Sequence, residues 1–246
     1  MSEQKLKNAP LKEVIFELYW EGTTQLNELP QDPGFENAVG KFQERLASVT
    51  PVQKRLYPAS APIKVFHIPI FQYWKKELNW PVIQHGPGMM SIHETETNYI
   101  WDSYFQSLIE DIIGKLLDSY GGNLLFSRVS LKYIDAFEVE DMQPRDFVNK
   151  NLLMRLEVNY PEPGNKEGFG FLQQYRLDDQ SLLQIQVNSG ANNATGRPAI
   201  VLSTTIEKRG RISKEDILQW LKTAHDHCSV TFKTILNPEF YASLDQ

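Results

Sequence analysis

Alternating apolar and polar positions predict a chain rich in β-strands. In residues 12–20 the apolar side chains from Val14 to Trp20 share one face, whereas Tyr19 lies on the other face. Comparable runs predict further strands at residues 63–73, 81–85, 89–96, 126–139, 152–160, 168–177, 181–188 and 198–207. Several of these runs keep one polar face, which is typical of an antiparallel sheet.

Spacings of three and four between apolar residues predict the helices. They fall at residues 34–48, 98–120, 144–149 and 213–236. Asn98 is the expected N-cap of the second helix, and Gly121-Gly122 is expected to end it. Ser213 and Asp216 resemble a capping box, and Pro238 prevents continuation of the last helix.

The order of these elements predicts an α+β fold, with an antiparallel sheet and long packing helices. The first half reads strand, helix, three strands, helix, and the second reads strand, short helix, four strands, helix. This order suggests two tandem β-α-β(n)-α repeats, arranged as in TATA-box-binding-protein-like or helix-grip-like folds. Residues 1–246 are expected to form a single domain, with two lobes at 10–122 and 123–246 as the alternative. Residues 51–62 look like a linker.

Composition narrows the classes of function. The formal net charge is -6 and the Lys and Arg residues are dispersed, so nucleic-acid binding is not favoured. The single cysteine, Cys228, cannot form an internal disulfide. The first ten residues lack the apolar segment of a secretory signal, and no run approaches a membrane span. We therefore expect a cytoplasmic protein without membrane contact.

The histidines are the first candidates for chemistry. His67 is expected inside a strand, as a buried structural residue. His85 and His93 flank the Gly86-Pro87-Gly88 turn and are expected to face each other across a hairpin. Glu94 or Glu96 could complete a metal site with them, but His93 and Glu94 point to opposite faces of a strand. We therefore predict no metal and no cofactor.

The last helix carries His225 and Cys228 three residues apart, on one face. That face also carries Leu221 and Phe232, so the thiol is expected to be a buried structural group. A Cys–His nucleophile pair would instead require an exposed thiol in an electropositive setting. No P-loop, nucleophile elbow or zinc motif occurs elsewhere in the sequence.

Three short segments resemble a sporadically distributed family of bacterial proteins of about the same length. They are Asn8-Ala9-Pro10 followed by Glu13-Val14, then Lys132-Tyr133-Ile134-Asp135, and last Ala224-His225 followed by Phe232 and Ile235. The family favours Arg and Asn where Lys132 and Asp135 stand. The resemblance implies no established activity, cofactor or substrate, although a patchy distribution is compatible with a role in defence.

The leading hypothesis is a non-catalytic binding or regulatory module that recognises a protein or a small ligand on its sheet or in a sheet–helix cleft. An enzyme with a dispersed His and carboxylate site, metal-dependent or not, is the alternative, and a nucleic-acid-associated defence protein is the third reading. A homo-oligomer is also compatible with the sequence. The predicted ligand-binding residues are Tyr19, Trp20, His85, His93, Tyr133 and His225.

Overall fold

The computed structural model describes residues 6–24, 30–58, 65–122, 124–156 and 168–246. Its first half contains β1 (Leu11–Trp20), α1 (Phe35–Leu46), β2 (Val52–Arg55), β3 (Phe71–Lys76), β4 (Asn79–Gly86), β5 (Met89–Thr95), a π-helical turn (Trp101–Phe105) and α2 (Gln106–Ser119). Its second half contains β6 (Phe126–Glu138), α3 (Pro144–Asn151), β7 (Gly170–Arg176), β8 (Leu182–Ala191), β9 (Pro198–Ile212), α4 (Lys214–Ile235) and α5 (Pro238–Ser243).

The strands of the described residues form one sheet in the order β2-β3-β4-β5-β1-β6-β9-β8-β7. β1 pairs antiparallel with β5, and β2 through β5 form an antiparallel meander. β7 and β8 also pair antiparallel. The predicted α+β class, with an antiparallel sheet and packing helices, is confirmed.

The tandem order of elements is also found. In each half the first strand lies beside the last strand of its own meander, β1 beside β5 and β6 beside β9, and β1 and β6 are neighbours. The described part of the second meander has three strands rather than four. The strand predicted at 152–160 is absent from residues 153–156, and residues 157–160 lie outside the described residues.

Two predictions around β3 are wrong. Residues 51–62 contain β2 rather than only the predicted linker, and β3 begins only at Phe71. Residues 65–70 bond to the β4–β5 hairpin instead of forming a strand: the His67 amide donates to the Pro87 carbonyl at 2.8 Å. His67 is exposed and has a φ of 62°, so it is not the buried strand residue that was expected.

The helix predicted at 98–120 starts later and in a different form. Its first turn is π-helical, with the Phe105 amide donating to the Ile100 carbonyl at 2.9 Å. The expected N-cap, Asn98, is wrong, since Ile100 precedes the turn and makes no side-chain cap. The expected end is confirmed, because Gly121 has a φ of 73°.

The C-terminal helices follow their sequence signals closely. The Asp216 amide donates to Ser213 Oγ at 3.2 Å, and the Ser213 amide donates to Asp216 Oδ2 at 2.9 Å. This reciprocal pair confirms the capping box. Pro238 follows α4 and is also the first residue of a further helix, α5, which the sequence did not predict. Asn237 is the N-cap of α5.

Contacts divide the chain into two compact units. The first unit comprises residues 13–131 and 207–223, and the second comprises the described residues within 1–12, 132–206 and 224–246. Each unit has its own buried apolar residues, among them Phe16, Ile83, Ile92 and Ile109 in the first and Phe137, Val148, Val187, Leu202 and Leu236 in the second. The lobes expected at 10–122 and 123–246 stay a prediction.

No helix within the described ranges has both the length and the apolar character needed to cross a membrane.

Candidate functional site

One carboxylate, that of Asp32, organises the most developed site of the first unit. Its Oδ2 accepts from Trp20 Nε1 at 2.9 Å, from Tyr120 Oη at 2.9 Å and from the Gly88 amide at 3.1 Å. Its Oδ1 accepts from the Gly34 amide at 3.0 Å. Four donors on one carboxylate leave it little capacity for a further partner.

The donors to Asp32 come from four elements. Trp20 is the last residue of β1, Gly34 precedes α1, Gly88 lies in the β4–β5 turn and Tyr120 follows α2. Gly34 allows the close approach, because a Cβ there would lie 2.9 Å from the Tyr120 ring. The single carboxylate therefore fixes the relative positions of a strand end, two helix ends and a hairpin turn.

Beside this cluster lies a pocket of about 550 Å³, which we call the Asp32 pocket. Its volume falls in the range typical of small-molecule sites. Its wall is aromatic and apolar, and its rim carries the charged residues Glu21 and Arg211. The lining residues are Trp20, Glu21, Thr23, Asp32, Pro33, Gly34, Tyr120, Leu124, Leu125, Phe126, Ser127, Gly210 and Arg211.

His85 lies behind the pocket wall rather than in the pocket. It is 0% exposed, and its ring centroid lies 4.9 Å from that of Phe35 and 5.0 Å from that of Phe42. Its Nε2 is 3.4 Å from Tyr120 Oη, and its Nδ1 has no hydrogen-bond partner within the described part of the chain. Burial lowers the pKa of His85 to about 3, so the ring is neutral and packs as part of the core.

His85 and His93 do not face each other across the hairpin, so that prediction is wrong. The hairpin forms as expected, but His85 pairs with Met90 while His93 pairs with Val82. This register places the two histidines on opposite faces of the sheet. His85 lies on the face that α1 covers, and His93 lies on the other face.

His93 is the centre of a hydrogen-bonded chain on that other face. His93 Nδ1 lies 2.7 Å from Glu13 Oε1, and His93 Nε2 lies 2.9 Å from Ser91 Oγ. A carboxylate, an imidazole and a hydroxyl in this order form the base-assisted nucleophile of many hydrolases. Ser91, however, is only 1% exposed, and β5 pairs with strands on both sides. The serine is therefore closed to substrates and lacks free amides for an oxyanion.

Tyr19 shares the face of His93 but is already engaged. The Arg128 guanidinium lies 3.6 Å from the centroid of the Tyr19 ring, and Tyr19 Oη donates to Glu17 Oε1 at 3.1 Å. Burial, together with the charge of Glu17, raises the pKa of Tyr19 to about 12. Tyr19 is 8% exposed, so little of its ring is open to a ligand.

The remaining predicted residues, Tyr133 and His225, meet in the second unit. Tyr133 Oη lies 2.8 Å from His225 Nδ1, which joins β6 to α4. Cys228 on the same helix is buried, and burial raises the pKa of its thiol. Its expected structural role is supported by this setting. Asp135, two residues beyond Tyr133, is 5% exposed, and burial raises its pKa to about 7 against the opposing charge of Lys12.

The structure thus sorts the six predicted residues into three separate pairs. Trp20 and His85 belong to the surroundings of the Asp32 pocket, Tyr19 and His93 to the opposite face of the sheet, and Tyr133 and His225 to the second unit. Asp32 and Tyr120 were missed. The Asp32-Pro33-Gly34 turn sequence was visible, but nothing in the sequence paired it with Tyr120.

Within the described ranges, no three His, Cys, Asp or Glu side chains are grouped closely enough to hold a metal ion.

Comparisons with known proteins add little to this geometry. No protein-family model matches the chain, and no curated protein matches it. Among solved structures, the di-domain ARO/CYC StfQ from the steffimycin biosynthetic pathway is similar over 89% of this chain and 94% of its own. The identity is 9% and the TM-score 0.19, so this likeness carries no argument about fold or function.

Proposed function

We propose that the chain is a non-catalytic binding module that takes a small ligand in the Asp32 pocket. The observation that carries the proposal is the fixed wall of this pocket. Trp20 and Tyr120 both donate to Asp32 Oδ2, each at 2.9 Å, so neither ring has to be ordered when a ligand enters. A wall that is ordered in advance avoids part of the entropy cost of binding.

The chemistry of the lining supports binding rather than turnover. The lining residues include no histidine and no cysteine, and the carboxylate of Asp32 is occupied by its four donors. The imidazole of His85 is separated from the pocket by burial. A binding site needs few convergent polar groups on an apolar surface, and this pocket has that composition.

A pocket-filling variant tests the proposal. Leu125 lines the pocket and is 45% exposed, so Leu125→Trp should occupy the space with little cost to folding. Small molecules that raise the melting temperature of the natural protein should lose this effect in Leu125→Trp. They should keep it in Leu172→Trp, a matched change at a 55% exposed leucine on β7. Stabilisation that survives Leu125→Trp would overturn the proposal.

The alternative of an enzyme with a dispersed site rests on the chain from Glu13 through His93 to Ser91. It is tested by offering metal-free protein generic esterase, phosphatase and nuclease substrates. Turnover that His93→Ala abolishes, while the variant keeps its melting temperature, would replace the binding module with an enzyme. Absence of turnover in both proteins agrees with the binding module.

A further inference from the structure

The rim of the Asp32 pocket carries two opposite charges that no other described residue engages. Glu21 directly follows β1, Arg211 lies near the end of β9, and both are exposed. Both line the pocket, yet neither has a hydrogen-bond or ion-pair partner within the described residues, so they do not pair with each other. Arg209, two residues before Arg211, differs in this respect because it pairs with Glu207.

The lining of the pocket also includes apolar side chains. Phe126, which is 1% exposed, and Leu125, which is 45% exposed, both line the pocket. Asp32 keeps its negative charge, but its Oδ2 already accepts from three donors and its Oδ1 from one, so it has less capacity for a ligand donor than Glu21 has. The charged side chains of the lining that lack a hydrogen-bond or ion-pair partner among the described residues are therefore one carboxylate and one guanidinium, and apolar residues line the pocket with them.

We propose that the ligand of this pocket is a zwitterion with an apolar group, of the kind that an apolar amino acid represents. This inference rests on the proposed function of the pocket. A ligand carboxylate fits the two-pronged donor geometry of Arg211, and a ligand ammonium fits Glu21. The apolar group then covers the leucine and aromatic wall.

Ligands of other charge fit the rim less well. A phosphate or other pure anion would pair with Arg211 but would bring its charge close to Glu21. An uncharged apolar molecule would partly desolvate both charges without pairing either of them. A zwitterion is the class that satisfies both rim residues at once.

Four related compounds separate these cases in isothermal titration calorimetry: phenylalanine, phenethylamine, 3-phenylpropionate and benzyl alcohol. Phenylalanine should bind most tightly, and loss of either charged group should weaken binding by roughly threefold to fivefold, as for a partly exposed ion pair. Arg211→Gln should make phenylalanine and phenethylamine equal. Glu21→Gln should make phenylalanine and 3-phenylpropionate equal.

Matched controls keep the result specific to the rim. Arg209→Gln and Glu44→Gln remove the same charges at exposed positions that do not line the pocket, and should leave the order of affinities unchanged. The ligand class is wrong if benzyl alcohol binds as well as phenylalanine, if none of the four compounds binds, or if the order survives Arg211→Gln. These results test only the class of ligand. Whether the Asp32 pocket binds a ligand at all is tested separately by the Leu125→Trp comparison.

Discussion

Tyr120 donates its phenolic hydroxyl to the carboxylate of Asp32, with 2.9 Å between Oη and Oδ2. The two residues are 88 positions apart, at the end of α2 and just before α1. Desolvation raises the pKa of Tyr120, and the negative charge of Asp32 raises it further, so the phenol stays protonated and stays a donor. This bond fixes the aromatic wall of the Asp32 pocket in a defined position.

Removal of the carboxylate should therefore cost stability as well as binding. Asp32→Ala leaves the donors of Trp20, Gly34, Gly88 and Tyr120 without their acceptor. We expect a loss of about 2–4 kcal/mol in the free energy of unfolding, because partial exposure lets water replace some of these bonds. Urea denaturation followed by circular dichroism measures the loss.

Asp118→Ala is the control for Asp32→Ala. Asp118 is an exposed residue two positions before Tyr120, and its removal should change the free energy of unfolding by less than about 0.5 kcal/mol. Equal effects of the two substitutions would mean that Asp32 does not organise the site.

His85 should make the protein less stable in acid. Its pKa is lowered from 6.5 to about 3 in the folded state, so below pH 6.5 only the unfolded chain takes up the proton. Above pH 6.5 the protonation of His85 costs no stability. As the pH falls from 6.5 towards 3, the free energy of unfolding decreases by up to about 1.4 kcal/mol per pH unit. The difference in unfolding free energy between the natural protein and His85→Leu, measured from pH 7 to 4, isolates this loss.

The His85→Leu comparison has a matched control in His227→Gln, a substitution at a half-buried histidine of α4. The control should keep the acid loss that His85→Leu removes. If the natural protein and His85→Leu lose stability in parallel, His85 is not the neutral buried ring described above.

Asp135 should act in the opposite direction. Its pKa is raised from 3.8 to about 7 in the folded state, so the folded protein holds the proton where the unfolded chain has released it. The contribution of Asp135 to stability is therefore largest below pH 3.8 and is lost as the pH rises towards 7. Asp135→Asn should remove this fall, whereas Asp146→Asn at an exposed position of α3 should not. The test is to measure the free energy of unfolding of the natural protein and of both variants between pH 4 and 8.

Much of the secondary structure could be predicted from local sequence patterns. The N-terminus of α4 at Ser213 shows why. The capping box with Asp216 involves two residues three positions apart, so a short window contains the whole interaction. The same holds for Gly121, whose positive φ ends α2 as its residue type indicates. The alternation in residues 12–20 likewise identified the buried face of β1.

The candidate site could not be predicted from the sequence in the same way, because its contacts join residues that are far apart along the chain. His93 and Glu13 are 80 positions apart, and Asp32 and Gly88 are 56 apart, so no spacing along the chain reveals them. The error about His85 and His93 came from the register. A two-residue turn places His85 opposite Met90, and that pairing puts His93 on the other face. Once the hairpin register is known, the separation follows directly.

Leu221 tests the reading of α4 as a core helix, which rested on periodicity and agrees with its 0% exposure. Leu221→Ala should lower the free energy of unfolding by about 2–5 kcal/mol, since it removes buried methyl groups and leaves a cavity. Thr223→Ala is the control, because Thr223 is exposed on the same helix and alanine favours the helical state. It should leave stability equal or slightly higher. An unchanged melting temperature in Leu221→Ala would mean that this face of α4 does not belong to the core.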